Sequence, residues 1–165
     1  MSTELIWQTT TAGSAETSKL GELLGNNLTA PAVIELASDL GGGKTTFTQG
    51  LAKGLGSSDI VSSPTFTISR IYKTADAQIH HFDLYRLSEP GIVADQLAES
   101  LSDPRVITVV EWSGIVAGVL PEQRLTINFE PTANDADERQ IAIHYAEKFT
   151  SLIKKLETDW ADTRP

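Results

Sequence analysis

The stretch "SDLGGGKTTF" (residues 38–47) stands between the apolar run "AVIELA" (32–37) and "TTFTQGLAKGLG" (45–56), and this succession decides the fold. The first run is short, apolar and strand-like. The second places Phe47, Leu51 and Leu55 four apart and closes on Gly56, the spacing and stop signal of a helix. A strand, a glycine-rich loop and a helix in that order are the context in which a phosphate-binding loop is read. Gly43, Lys44 and Thr45 meet the pattern G-x-x-x-x-G-K-[ST], with Ser38 where the first glycine normally stands. A small residue is the mildest replacement at that turn, so the reading survives it.

In such a loop successive backbone N–H groups turn inward around a phosphate, and the following helix presents its positive N-terminus. Gly41, Gly42 and Gly43 permit close approach and positive φ. Lys44 reaches the β- and γ-phosphates as a point charge, and the Thr45 hydroxyl ligates Mg²⁺. The alternative is a glycine-rich turn that merely precedes a lysine. The flanking strand and helix argue against it.

Upstream, "SAETSKLGELLG" (14–25) reads as a helix with Ser14 or Thr17 as its cap. Downstream, "TFTISRIY" (65–72) and "QIHHFDLYRL" (78–87) read as an antiparallel pair, and residues 90–103 as a helix. "VITVVEW" (106–112) has the near-continuous apolar character of a strand buried on both faces. "RLTINFE" (124–130) and "RQIAIHY" (139–145) alternate as half-buried strands, and 146–160 forms a last helix. The expected fold is α/β, a single nucleotide-binding domain over residues 1–165 with a mixed central sheet flanked by helices. Its core spans 14–145, and a C-terminal helix and tail cover 146–165. The role of that helix is left open, and Trp160 with its acidic neighbours fits a solvated end.

Nucleotide hydrolysis also needs a carboxylate at the end of a neighbouring buried strand. Glu111 ends "VITVV", at the sheet edge where ligands collect. Asp83 in "HHFDLYR" is a second candidate, with pairing to Arg86 as its structural alternative. Trp112 either stacks on a base, contacts a partner or packs. His80 and His81 are neighbours on a strand, point to opposite faces and read as structural. "SSPTFTI" (62–68) sets hydroxyls beside a proline, a switch segment able to sense the γ-phosphate.

The 165 residues carry 13 Lys plus Arg against 22 Asp plus Glu, a net charge of -9 that would repel a nucleic-acid backbone over most of the surface. Direct RNA or DNA binding is therefore expected to be little or none. The absence of cysteine excludes disulfides, thiolate metal sites and thiol nucleophiles. "MSTELIWQTT" (1–10) lacks a basic region and an apolar stretch of signal-peptide length, and no run approaches the roughly 20 apolar residues of a membrane helix. A cytoplasmic protein without membrane contact is expected.

"SDLGGGKTTF", "SSPTFTI", "HFDLYRL", "VVEW" and "LPEQRLTI", in that order, resemble the TsaE (YjeE) family. These are small bacterial P-loop ATPases required for making threonylcarbamoyladenosine beside the anticodon of tRNA. The resemblance covers about residues 14–145. It implies ATP held by the loop 38–46, which adds Asp39, Leu40 and Thr46 to the three glycines, Lys44 and Thr45. It gives Lys44 the phosphate contact, Thr45 and Glu111 the Mg²⁺, and Asp83 a part in hydrolysis. Thr65 falls in the first switch segment, Trp112 in the second, and Arg139 at the nucleotide's edge. It further implies weak ATPase activity alone, stimulated by the partners TsaD and TsaB. Ser38 and Gly42 depart from the family's usual glycine and alanine, and Glu138 from the usual glycine before Arg139.

Two other readings remain. A small-molecule kinase would need an arginine-bearing lid, and the arginines are scattered (Arg70, Arg86, Arg105, Arg124, Arg139, Arg164). A nucleotide-gated binding module would use the γ-phosphate to order residues 62–68.

Overall fold

The computed structural model describes residues 4–38, 42–64 and 67–164. Its elements are β1 (Leu5–Thr11), α1 (Ser14–Asn27), β2 (Ala32–Ala37), α2 (Lys44–Gly54), β3 (Ser69–Lys73) and β4 (Gln78–Asp83). There follow α3 (Gly91–Ser102), β5 (Val106–Glu111), β6 (Leu125–Pro131), β7 (Arg139–Tyr145) and α4 (Thr150–Asp162). The strands form one sheet in the order β1-β7-β6-β2-β5-β4-β3. The four strands β6, β2, β5 and β4 are mutually parallel, while β1, β7 and β3 run antiparallel to their neighbours. This is the expected α/β arrangement with a mixed sheet between helices.

The sheet's two faces follow from the period-2 alternation of strand side chains. Ile34, Leu36, Ile107, Val109, Leu125 and Ile127 project into the larger core beneath α1, α2 and α4. Val33, Phe82 and Val110 project the other way, into a smaller cluster with Val93 and Leu97 of α3. All six residues of β5 are buried, as a strand covered on both faces must be.

Several boundaries differ from the expectation, each for a physical reason. β1, absent from the expected elements, is a threonine-rich edge strand that pairs with β7, from Leu5↔Tyr145 to Thr11↔Arg139. Neither Ser14 nor Thr17 caps α1. Gly13 occupies the cap position, and the buried Thr17 hydroxyl pairs with that of Thr11 at 2.8 Å. The 78–87 run stops pairing at Asp83, and helix 146–160 begins at Thr150 after a 3₁₀ turn over Glu147–Phe149. Trp160 is not at a solvated end; it is 4% exposed within the main core.

α1 and α2 pack with their backbones in near contact. A Cβ on Gly50 would lie 1.9 Å from the Ser18 carbonyl oxygen, and one on Gly21 2.3 Å from that of Phe47. This close approach brings the start of α1 beside the start of α2, which shapes the site described next.

Candidate functional site

The carboxyl ends of β2, β5 and β4 and the N-terminus of α2 meet at one edge of the sheet, where ligands gather in open α/β folds. Register places Glu111 directly across from Leu36 on one side and Asp83 on the other, so the two acids end adjacent strands on the same face. Both are buried: Asp83 is 4% exposed and Glu111 2%. Lys44, the first residue of α2, is buried beside them. Its ammonium donates to the Ser38 carbonyl at 3.0 Å, lies 4.0 Å from Glu111 Oε1 and sits 4.2 Å from the centre of the Trp112 ring. A cation removed from water needs such compensation from carbonyl, carboxylate and aromatic face together.

α2 follows Gly43, whose φ of 103° is the left-handed conformation that favours glycine. With no cap side chain there, the first-turn N–H groups and the helix dipole face the site. Thr45 and Thr46 are half-buried in this first turn, and Gly42 is half-buried just before it. Asp39, Leu40, Gly41 and Thr65 lie outside the described residues.

Asp83 Oδ1 accepts the Tyr85 backbone N–H at 3.1 Å, and Oδ2 accepts the Ser63 hydroxyl at 3.4 Å. Ser63, from the stretch 62–68, thus reaches the site. The backbone just before Ser63 is held from two sides: Tyr72 donates to the Ser62 carbonyl (2.9 Å) and Gln49 to that of Val61 (3.2 Å).

His81 is the residue whose place the sequence reading missed. Its side chain is fully buried and its Nε2 lies 2.5 Å from Glu111 Oε2. To donate to a carboxylate, Nε2 carries the proton. His80, on the opposite face, bonds instead to Gln78 at 3.1 Å. A signal was present: in "HHFD" His81 stands two residues before Asp83, hence on the same strand face as the acid.

Trp112 takes a positive φ of 57° as the chain leaves β5, and its ring contacts that of Tyr85 at 4.9 Å. The next residue, Ser113, donates to Glu35 Oε2, while Thr126 (3.0 Å) and Arg124 (3.3 Å) donate to Oε1. Burial alone would raise the Glu35 pKa. The hydrogen bonds from Ser113 and Thr126 and the Arg124 charge outweigh it and hold the carboxyl below the ordinary glutamate value.

Beside the loop lies an open cavity of about 470 Å³, lined among others by Gly43 and Thr46 on one side, Gly13 and Thr17 on another, and Asp137 and Arg139. Arg139 donates to the carbonyls of Ala136 (2.6 Å) and Glu138 (2.9 Å), which fixes its guanidinium at the cavity wall.

The oxygen donors here are hard: two buried carboxylates at the strand ends, with the hydroxyl-bearing Thr45 in the first turn of α2. Among the described residues no group of three or more His, Cys, Asp or Glu could form a metal cage. Mg²⁺ needs none, since it is held by one or two carboxylates together with phosphate oxygens and water. The residues present therefore fit that ion.

The chain as a whole resembles known proteins. The family described as "Threonylcarbamoyl adenosine biosynthesis protein TsaE" matches residues 11–141. The chain is 35% identical over 138 residues to a Bacillus subtilis protein named tRNA threonylcarbamoyladenosine biosynthesis protein TsaE, covering 84% of each chain. It is 37% identical over 113 residues to the protein of that name from Haemophilus influenzae, covering 68% of this chain and 72% of that one. The crystal structure of Bacillus subtilis YdiB superposes with a TM-score of 0.76 at 31% identity, covering 96% of this chain and 97% of that one.

Proposed function

The chain belongs to the TsaE family of threonylcarbamoyl adenosine biosynthesis proteins, and on that premise we propose that it is the ATP-binding and ATP-hydrolysing subunit of a cytoplasmic tRNA-modifying assembly, acting on the complex of TsaB and TsaD. The observation that carries this reading is the convergence of Lys44, Glu111 and Asp83, all buried, on the uncapped N-terminus of α2.

In this reading Lys44 and the first-turn N–H groups of α2 hold the β- and γ-phosphates, with Gly42 and Gly43 leaving the backbone accessible. Thr45 and Glu111 hold Mg²⁺, which when bound neutralises charge on the phosphate oxygens. Asp83 orients the attacking water. The cavity beside Gly43 and Thr46 takes the nucleoside end, with Arg139 at its wall. Both Asp83 oxygens are engaged by Tyr85 and Ser63, which accords with slow turnover alone and with partners acting through residues 62–64. The net charge of -9 leaves the holding of tRNA to those partners.

The test is ATP hydrolysis with Mg²⁺, measured for the chain alone and with TsaB and TsaD added. Stimulation by the partners is expected, and Lys44→Ala should lower the stimulated rate by roughly 10²-fold or more, as removal of a transition-state charge partner does. Failure to bind ATP in millimolar Mg²⁺, or an unchanged rate in Lys44→Ala, overturns the reading.

A further inference from the structure

We propose that His81 is a positioning residue for the magnesium–nucleotide centre: its Nε2 pins one oxygen of Glu111, so that the other is the one turned to the Lys44 side where the metal would be held. This rests on the function proposed above and deepens it.

Packing alone does not account for a histidine here. The ring is fully buried, yet its Nδ1 has no hydrogen-bond partner among the described residues. An apolar side chain would fill the volume without leaving a buried polar atom unpaired, so the ring costs stability that its one hydrogen bond must justify. That bond goes to Glu111. In the β4–β5 register Asp83 is opposite Glu111 and His81 opposite Val109, so His81 reaches Glu111 along the diagonal on the shared face.

The two carboxylate oxygens thereby receive different duties. Oε2 is 2.5 Å from His81, and Oε1 is 4.0 Å from the Lys44 ammonium. A carboxylate held at one oxygen cannot rotate freely, and it offers the metal a single, oriented donor. The imidazole is itself braced: the Tyr72 ring lies 6.1 Å away, centre to centre, and Tyr72 is anchored through its hydroxyl to the Ser62 carbonyl. Hydrogen-bonding partners of this kind behind a metal ligand typically carry 10- to 100-fold in metal affinity.

The experiment compares wild type, His81→Leu and His81→Gln by calorimetric titration with the non-hydrolysable analogue AMP-PNP, once in Mg²⁺ and once in EDTA. Leucine removes the donor, whereas glutamine places an N–H close to where Nε2 stands. Expected is a Mg²⁺-dependent gain in affinity that falls about 10-fold or more in His81→Leu, largely returns in His81→Gln, and leaves the EDTA affinity unchanged. A wild type with no Mg²⁺-dependent gain overturns the proposed function and this inference with it. A normal wild type with an undiminished gain in His81→Leu overturns the inference alone, as does equal loss in both variants. Should His81→Leu not fold, the His81 Nε2 resonance of the wild-type chain decides: it shifts when Mg²⁺ is added to the AMP-PNP complex, and an unmoved resonance overturns the inference.

Discussion

Glu35 stands in the middle of "AVIELA", a charged residue inside an otherwise apolar central strand. It is kept there by three donors from two separate segments: Ser113 just after Trp112, and Arg124 and Thr126 at the start of β6. Because Ser113 follows Glu111 and Trp112 in the chain, Glu35 ties down the backbone on which the site's carboxylate and indole are carried. The linkage sign follows from its lowered pKa. A carboxylate depressed in the folded state adds stability above its unfolded value, about 4.3, and loses it as pH falls through the folded value. Glu35→Gln is therefore expected to narrow the stability gap to wild type only below about pH 4.3, with a constant deficit near neutrality; urea melts between pH 3 and 7 would measure it. A gap that widened on acidification would contradict the assignment.

At the level of elements, α1 and α2 are joined by glycine contacts that no hydrophobic period announces. The Leu20, Leu23 and Leu24 face marked α1 as amphipathic, but it is Gly21 and Gly50 that let the helices approach until backbone meets backbone. Gly50→Ala forces a carbon toward a carbonyl oxygen that cannot rotate away, so the helices must separate. A loss of about 1–3 kcal/mol or more is expected, as for other overpacked interiors. Gly118→Ala meets nothing within 4 Å and serves as the control, expected within about 0.5 kcal/mol of wild type. Thermal or urea denaturation distinguishes the two. Separation of the helices would also widen the cavity between Gly13 and Thr46, so the Gly50 variant should bind nucleotide less well at temperatures where it remains folded.

Across the whole molecule β1 and α4, the first and last of the described elements, are locked together. Phe149, Ile153, Leu156 and Trp160 enter the main core, and the Trp160 indole donates to the Thr9 hydroxyl of β1 at 2.7 Å. Arg164 adds contacts to the Thr10 carbonyl and the Glu16 carboxylate, though these are exposed and contribute little. Four buried side chains at about 1.5–3 kcal/mol each amount to roughly 6–12 kcal/mol. That is comparable with the entire stability of a domain of this size, about 5–15 kcal/mol. A chain ending at Ala146 is expected to lose its cooperative melt by circular dichroism. Retention of a sharp transition would show that α4 is an accessory to the core and not a part of it.

Local pattern was enough for the centre of the molecule. The apolar run, the glycine loop, Lys44 and the four-residue spacing after it determined β2, α2 and the phosphate-binding reading, because strand period, turn chemistry and helix period are all encoded over a dozen neighbouring residues. The unbroken apolar run ending in Glu111 likewise marked a buried strand and its terminal acid. Only the tertiary structure decided that β1 is a strand, that His81 faces Glu111, that Glu35 holds Ser113, and that Trp160 is core. Each depends on a partner distant in sequence: 30 residues for His81, 78 for Glu35 and 151 for Trp160. A side chain's own neighbours specify its period and its face. What it meets on that face is set by which strands and helices come to lie beside it, and that is a property of the folded sheet.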